Sequence, residues 1–283
     1  MRISIIITVF NRLAYLEKCL SSIFNQSLKP DEIIICDDGS TEDILGFLKR
    51  ISKNTEIKFK YVRQEHKGFR AGRSRNNGVA ISEGDILVFF DSDVIVTRNY
   101  LKTTVDFLLK NNDFFISNYP VRLTKEQTNQ LTLNEVETFD FSIITFKQRF
   151  KIIRQYIEDK FYSVTNRLRK RSKRKAPKLR GGICAILRMD YFEVNGYDER
   201  FIGWGNEDDN LGKRLYMKGL NGANTGLFEF PIHLYHEPFH NNGERVNKNI
   251  ANELKKEINA GNFKAEYGLN NRYQHDDVEV VYL

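Results

Sequence analysis

Three short runs dominated by apolar, largely β-branched residues, each closing on polar or acidic residues, constrain the fold of this chain most. Ile3 to Phe10 passes into Asn11-Arg12, Ile33 to Cys36 into Asp37-Asp38-Gly39-Ser40, and Ile86 to Phe90 into Asp91-Ser92-Asp93. Runs of this length without polar alternation suit strands covered on both faces. Apolar residues at helical spacing follow: Leu13, Leu16, Leu20, Ile23 and Phe24 after the first, and Ile44, Leu45, Leu48 and Ile51 after the second. A helix over roughly Asn99 to Lys110 follows the run that ends at Phe90, and a further strand around Ile57 to Arg63 precedes the Gly68 to Ser82 region. This alternation predicts an α/β fold with a parallel, doubly wound sheet. Ligands of such sheets bind outside the carboxyl ends of the strands, so the polar segments after Phe10, Cys36 and Phe90 are expected to converge on one edge. The dinucleotide fingerprint G-x-G-x-x-G is absent after the first strand, which argues against a NAD or FAD domain.

The remainder predicts a strand from Phe114 to Tyr119, a long helical excursion over Thr124 to Arg174, and a strand Ile183 to Arg188 whose leading Gly181-Gly182 lets backbone approach a ligand. Leu227 to Leu234 reads as a strand running into Tyr235-His236, followed by a polar helix over about Glu244 to Ala260 and an irregular tail. The 283 residues suffice for a sizeable core. Their net charge of +7 is uneven, because Lys147 to Arg180 alone carries +12 and leaves −5 for the rest. That split fits either a solvated basic helix or a local anionic contact, most simply an acidic membrane surface, and not a face built for nucleic acid. Cys19, Cys36 and Cys184 are widely spaced among apolar residues, as reduced core thiols of a cytosolic protein would be. The N-terminal run lacks a cleavage site and is too short to span a bilayer.

Four groups of residues carry candidate chemistry. Asp91 and Asp93 share a face if their strand continues, and with Asp37 and Asp38 on the same edge they form a carboxylate crowd that a hard divalent cation would relieve. His233, His236 and His240 offer imidazole; His236 is the favoured ligand, and the mixed donor set suits Mn²⁺ better than Mg²⁺ or Ca²⁺. Lys67, Arg70, Arg73 and Arg75 recur beside glycines, offering cations to a diphosphate. Finally, Gly203-Trp204-Gly205-Asn206-Glu207-Asp208-Asp209 holds the only tryptophan against three acids at the start of a helix, with Asn206 as its cap. The acids alone complement a helix dipole, whereas the indole beside carboxylates suits a sugar ring and its hydroxyls.

Taken together, Thr8-Val9-Phe10-Asn11-Arg12, Asp37-Asp38-Gly39-Ser40, Gln64 to Ala71 with Arg75-Asn76, Asp91-Ser92-Asp93 and Gly203 to Asp209 resemble a family 2 glycosyltransferase. The last block is similar to the galactosyltransferase-type region of bacterial chondroitin polymerase domains and β-1,4-galactosyltransferases. The resemblance implies a GT-A (Rossmann-like) fold: a mostly parallel sheet flanked by helices. It divides into a nucleotide-sugar half over 1–120, the helical basic excursion over 121–180, an acceptor-binding and catalytic half over 181–243, and a C-terminal helix and tail over 244–283. It implies Thr8 and Phe10 at the base, Asp37 or Asp38 at uracil, Arg70 or Arg73 at the diphosphate or base, and Asp91 at the ribose or sugar. Asp93 and His236 would ligate Mn²⁺, with Mg²⁺ as the alternative. Trp204, Glu207, Asp209 and Gly182 would meet the sugar or acceptor, and Asp208 would be the general base. Ile183 stands where the family commonly has a polar residue. The implied activity is inverting transfer of a hexose or N-acetylhexosamine from a UDP-sugar to a glycan or lipid-linked acceptor in bacterial surface polysaccharide synthesis. The expected setting is cytoplasmic, on the inner face of the plasma membrane. The rivals are a sugar nucleotidyltransferase, which would want a triphosphate loop where Asn11-Arg12-Leu13 stands, and a non-enzymatic, membrane-attached glycan-binding protein.

Overall fold

The computed structural model describes residues 1–167, 177–237, 246–274 and 278–283; His240 and the basic stretch 168–176 lie outside them. In chain order the first half comprises β1 (Ile3–Val9), α1 (Leu13–Phe24), β2 (Glu32–Asp37), α2 (Ile44–Ile51), β3 (Lys58–Gln64), α3 (Ala71–Ile81), β4 (Ile86–Asp91), β5 (Val94–Val96), α4 (Tyr100–Lys110) and β6 (Phe114–Ser117). The second half comprises β7 (Val121–Arg122), α5 (Lys125–Gln130), α6 (Leu133–Thr138), α7 (Phe146–Arg167), β8 (Ile183–Leu187), α8 (Arg188–Glu193), α9 (Glu207–Lys218), β9 (Asn221–Ala223), β10 (Pro231–His233), α10 (Lys248–Asn259) and β11 (Val278–Tyr282).

Among the described residues, eight strands form one sheet in the order β11-β3-β2-β1-β4-β8-β6-β9. The first four chain strands run parallel, with Ile5 opposite Ile33 and Val88, while β8 runs antiparallel to β4. Successive side chains of the central strands point to opposite faces, which is why both parities are apolar. Ile5, Ile7, Ile33 and Ile35 pack with Leu16 and Leu20 of α1, Leu48 of α2 and Leu101 of α4. Ile6, Ile34, Leu87 and Phe89 pack on the other face with Val79 of α3, Tyr191 of α8 and Leu211 and Leu215 of α9. The expected mostly parallel sheet between helical layers is therefore present.

A second sheet, ordered β5-β10-β7, decides how the late part of the chain reaches the early part. β10 pairs antiparallel with β5, setting His233 opposite Val94, and so delivers the histidines to the residue just before β5. Three elements differ from the sequence expectation. The excursion after Thr124 is divided into α5, α6 and α7, because Thr124 with Gln127 and Thr132 with Glu135 form two capping boxes that each start a new helix. The strand expected over Leu227 to Leu234 contracts to β10. The tail ends not irregularly but as β11, antiparallel to β3, with Val280 opposite Val62. One sheet thus receives strands from residues 1–120, from residues 181–243 and from the tail.

Candidate active site

The polar loops after β1 and β2 converge as expected. Asn11, held at φ 55°, donates its backbone N–H to Ser40 Oγ (2.7 Å) and accepts from the Thr41 N–H at Oδ1 (2.8 Å). Asp37 is fully buried: the Tyr61 hydroxyl donates to Oδ2 and the Ser40 N–H to Oδ1, each at 2.7 Å. Asp38 accepts from the Gln64 side-chain amide and from the Arg70 N–H (3.1 Å), while burial raises its carboxyl above the ordinary range. Phe10 stacks on His66 with centroids 4.2 Å apart and planes 13° from parallel, giving a flat aromatic wall at this edge. Nothing along the chain pairs His66 with Phe10, since the stack joins segments that only the β1–β2–β3 order brings together. Arg70 and Arg73 are buried and reach toward the C-terminal segment. Arg70 Nη1 donates to Gln274 Oε1 (2.7 Å), Arg73 Nη2 to the Gln274 carbonyl (3.4 Å), and Arg73 Nε lies 4.0 Å from Glu199.

The acids expected on the sugar side meet around a different arginine. Asp91 ends β4, and its Oδ1 accepts from the Thr8 hydroxyl (2.8 Å) and from Arg75 Nη2 (2.7 Å). Arg75 Nη1 lies 3.6 Å from Asp208 Oδ1, which also accepts from the Tyr197 hydroxyl (3.2 Å). The guanidinium rests 5.2 Å from the Tyr197 ring centroid. One buried cation therefore ties the end of β4 to the first turn of α9. Arg73 and Arg75 are two positions apart on α3, about 200° around the helix, so they serve different faces; that spacing was the available signal for separating Arg75 from its neighbours. Gly181 and Gly182 explain how backbone fits against the acids. A Cβ at Gly181 would lie 2.0 Å from Asp208 Oδ1, and one at Gly182 would lie 1.9 Å from Asp91 Oδ2. The close approach expected of this glycine pair is made to the two carboxylates.

Gly203 and Gly205 adopt φ of 85° and 100° around Trp204, which is 38% exposed, conformations that favour glycine. Asn206 occupies the cap position of α9 with φ 75° and makes no side-chain capping bond, unlike the expectation. Glu207 is buried and Asp209 exposed, with Asp208 between them facing Arg75. Burial, reinforced by the adjacent Asp208, pushes the Glu207 carboxyl up to about 8. Burial also raises Asp208, against the opposing charge of Arg75. Among the described residues, Glu207 Oε2 and Arg75 Nε and Nη1 are buried without a hydrogen-bond partner.

Asp93 faces elsewhere. β4 stops at Asp91 and the chain turns before β5, so the two aspartates do not share a face of a continuing strand. Asp93 Oδ2 lies 3.1 Å from His236 Nε2 and 3.2 Å from Arg12 Nη1, and Oδ1 lies 3.7 Å from His233 Nε2. One ligand atom from each of Asp93, His233 and His236 falls within 4.8 Å of the others. Burial pushes the Asp93 carboxyl up, yet the His236 hydrogen bond and the charges of His233 and Arg12 hold it below its ordinary value. The hydrogen bond to Asp93 raises His236, whereas burial lowers His233 and favours the neutral imidazole that a metal requires. The buried Asp93 Oδ1 has no hydrogen-bond partner among the described residues. A carboxylate and two imidazoles so arranged fit a divalent cation, and His233 joins the expected pair. All three cysteines are free and buried, and burial pushes each thiol up, so none is poised as a thiolate.

Comparison with known proteins identifies the family and the fold. The chain is 27% identical over 241 residues to a hyaluronan synthase of Pasteurella multocida, covering 77% of this chain and 23% of that one. It is 26% identical over 244 residues to a chondroitin synthase of Escherichia coli, covering 77% and 32%, and 23% identical over 238 residues to a validoxylamine A glucosyltransferase of Streptomyces hygroscopicus, covering 77% and 48%. The chain thus spans about half or less of the length of these curated relatives. The fold superposes on S. aureus TarS 1-349 in complex with UDP-GlcNAc with a TM-score of 0.63 at 15% identity, covering 95% of this chain and 69% of that one. It superposes on the mannosyltransferase PcManGT from Pyrobaculum calidifontis, in complex with GDP-Man and Mn²⁺, with a TM-score of 0.58 at 16% identity, covering 84% and 58%. These likenesses identify the sheet and its layers as a GT-A fold. Residues 163–237 match the N-terminal domain of galactosyltransferase. Residues 4–194, which supply β1 through β4, Arg75 and the glycine pair, match Glycosyl transferase family 2, and the chain belongs to that family.

Proposed function

We propose that this chain transfers a hexose or N-acetylhexosamine from a UDP-sugar to a hydroxyl of a glycan or lipid-linked acceptor, with inversion at the anomeric carbon. The observation that carries the proposal is the contact set Asp91–Arg75–Asp208 on the Gly181-Gly182 backbone, with the Asp93, His233 and His236 cluster as the second part of the site. The hyaluronan and chondroitin synthase relatives support a polysaccharide product, and the TarS complex supports a UDP-sugar donor.

In this mechanism the Phe10–His66 wall takes the base, with Thr8 beside it and Asp37 or Asp38 as its polar partner. Arg70 or Arg73 contacts the diphosphate or base only by exchanging its present contacts with the C-terminal segment. Asp91, fixed by Thr8 and Arg75, accepts from donor hydroxyls, and Gly182 allows the sugar to sit close to backbone. Trp204 offers an apolar face to the acceptor ring, and Asp209 helps to place it. Asp208 takes the proton from the attacking hydroxyl, and the charge of Arg75 opposes the rise that burial gives its carboxyl. Glu207, protonated at neutral pH, donates to a sugar oxygen. Asp93, His233 and His236 would hold a divalent cation, with Mn²⁺ favoured over Mg²⁺, and that ion would neutralise charge on the departing diphosphate. A single displacement needs no second carboxylate as nucleophile.

A panel of UDP-sugars with Mn²⁺, scored for transfer, donor hydrolysis and protection against thermal unfolding, tests the proposal. Asp208→Asn is expected to lower turnover about 10²- to 10⁴-fold while preserving UDP-dependent protection. Asp93→Ala is expected to lose the Mn²⁺-dependent part of that protection. Full transfer by Asp208→Asn would remove it from the role of base, and the absence of Mn²⁺-dependent UDP binding in the unmodified protein would favour a glycan-binding role. The setting we assign is peripheral, on an anionic lipid face that carries the acceptor, supported by the charge of Lys147 to Arg180. No helix among the described residues is long and apolar enough to cross a membrane.

A further inference from the structure

The helix α7 carries an apolar stripe that the other described residues leave uncovered. Phe146, Phe150, Ile153, Ile157, Phe161 and Val164 are each between 43% and 83% exposed. At about 100° per residue they fall within about 80° of arc, one continuous line along the helix. Ile152, on the opposite side, is 3% exposed and packs into the core with Ile144, Val121 and Leu123. The helix is thus seated on the protein by its other face. Its 22 residues span about 33 Å, and the stripe runs for most of that length.

The residues beside the stripe identify what covers it. By the same angular count Lys147 and Arg154 flank one edge and Arg149 and Lys160 the other. The acids of the helix are already engaged: Glu158 pairs with Arg154 at 3.3 Å, and Asp159 accepts from the Asn224 side-chain amide at 2.6 Å. A second copy laid on this stripe would set like charges against each other along both seams. An anionic bilayer would meet the stripe with acyl chains and both basic edges with head groups, the arrangement of an interfacial amphipathic helix.

We infer that the outward face of α7 inserts into the surface of an anionic membrane, with the Phe146 to Val164 stripe below the head groups and Lys147, Arg149, Arg154 and Lys160 at their level. This deepens the peripheral setting proposed above by replacing adsorption through charge with burial of apolar side chains. It is read without any transfer assay, so its failure and failure of the proposed reaction are separate results.

The test is density-gradient flotation of the full chain with vesicles of phosphatidylcholine and phosphatidylglycerol, at low salt and at about 1 M NaCl, where charges are screened beyond about 3 Å. Insertion predicts that most of the bound protein stays with the vesicles at high salt. The triple substitution Phe150→Ser, Ile157→Ser and Phe161→Ser should lower partitioning at least tenfold with thermal unfolding unchanged, while Leu109→Ser, exposed on α4, should leave it unchanged. If the triple variant fails to fold, Phe150→Ser and Phe161→Ser singly carry the same comparison. Binding lost entirely at high salt would overturn insertion in favour of charge alone. So would wild-type flotation by the substituted chains, or a concentration-dependent dimer abolished by them in the absence of lipid binding.

Discussion

Glu207 lies in the first turn of α9 with 8% of its surface exposed and one carboxylate oxygen without a hydrogen-bond partner among the described residues. Its carboxyl titrates near 8 in the folded chain, against an ordinary value of 4.5, because burial and the neighbouring Asp208 disfavour its charge. Between those values the folded state keeps a proton that the unfolded state has lost, so this residue makes stability fall as pH rises. Glu207→Gln is expected to flatten that slope. The stability gained over the parent grows from about pH 5 and levels above about pH 8, as urea unfolding across the range would show. The acids at 207 to 209 were legible as a cluster in the first turn of a helix, but their order of burial was not. Helical rotation turns Glu207 inward, Asp208 toward Arg75 and Asp209 to solvent, and only packing against α3 and the glycine pair fixes which direction is inward.

Among the elements, α10 makes a contact to the Trp204 loop that its sequence does not reveal. Asn247, at its cap position, donates from its side-chain amide to the carbonyls of Gly203 (2.9 Å) and Gly205 (3.1 Å), bracing the loop that presents Trp204. Asn247→Ala removes two hydrogen bonds worth about 0.5–1.5 kcal/mol each. The expected result is reduced transfer with UDP-dependent thermal protection intact, because the edge proposed for the nucleotide lies on β1 and β2; a matching loss of UDP protection would place the loop in the donor pocket. The polar helix itself was readable from periodicity. Its partner was not, because the contact bridges more than forty residues and depends on a side-chain amide that looks like any other.

For the whole molecule, the tail closes the sheet. β11 pairs with β3 from Val278 opposite Gln64 to Tyr282 opposite Lys60, while Gln274 receives Arg70 and Arg73. Truncation after Gln274 bares the β3 edge and is expected to lower the melting temperature by several degrees and to promote aggregation on heating. Calorimetry with light scattering would read both, and an unchanged transition would mean that β11 adds nothing to the sheet. The chain by itself determined the β-α alternation, the two-faced burial of its central strands and the convergence of their polar ends, because these follow from local periodicity and the fixed hand of crossover connections. Tertiary structure alone decided that Asp91 and Asp93 part company at a turn. It also decided that Arg75, rather than Arg70 or Arg73, joins Asp91 to Asp208, and that β10 brings His233 together with His236 beside Asp93. Each of these depends on distant segments meeting at angstrom precision, and spacing along a chain carries no record of which segments those will be.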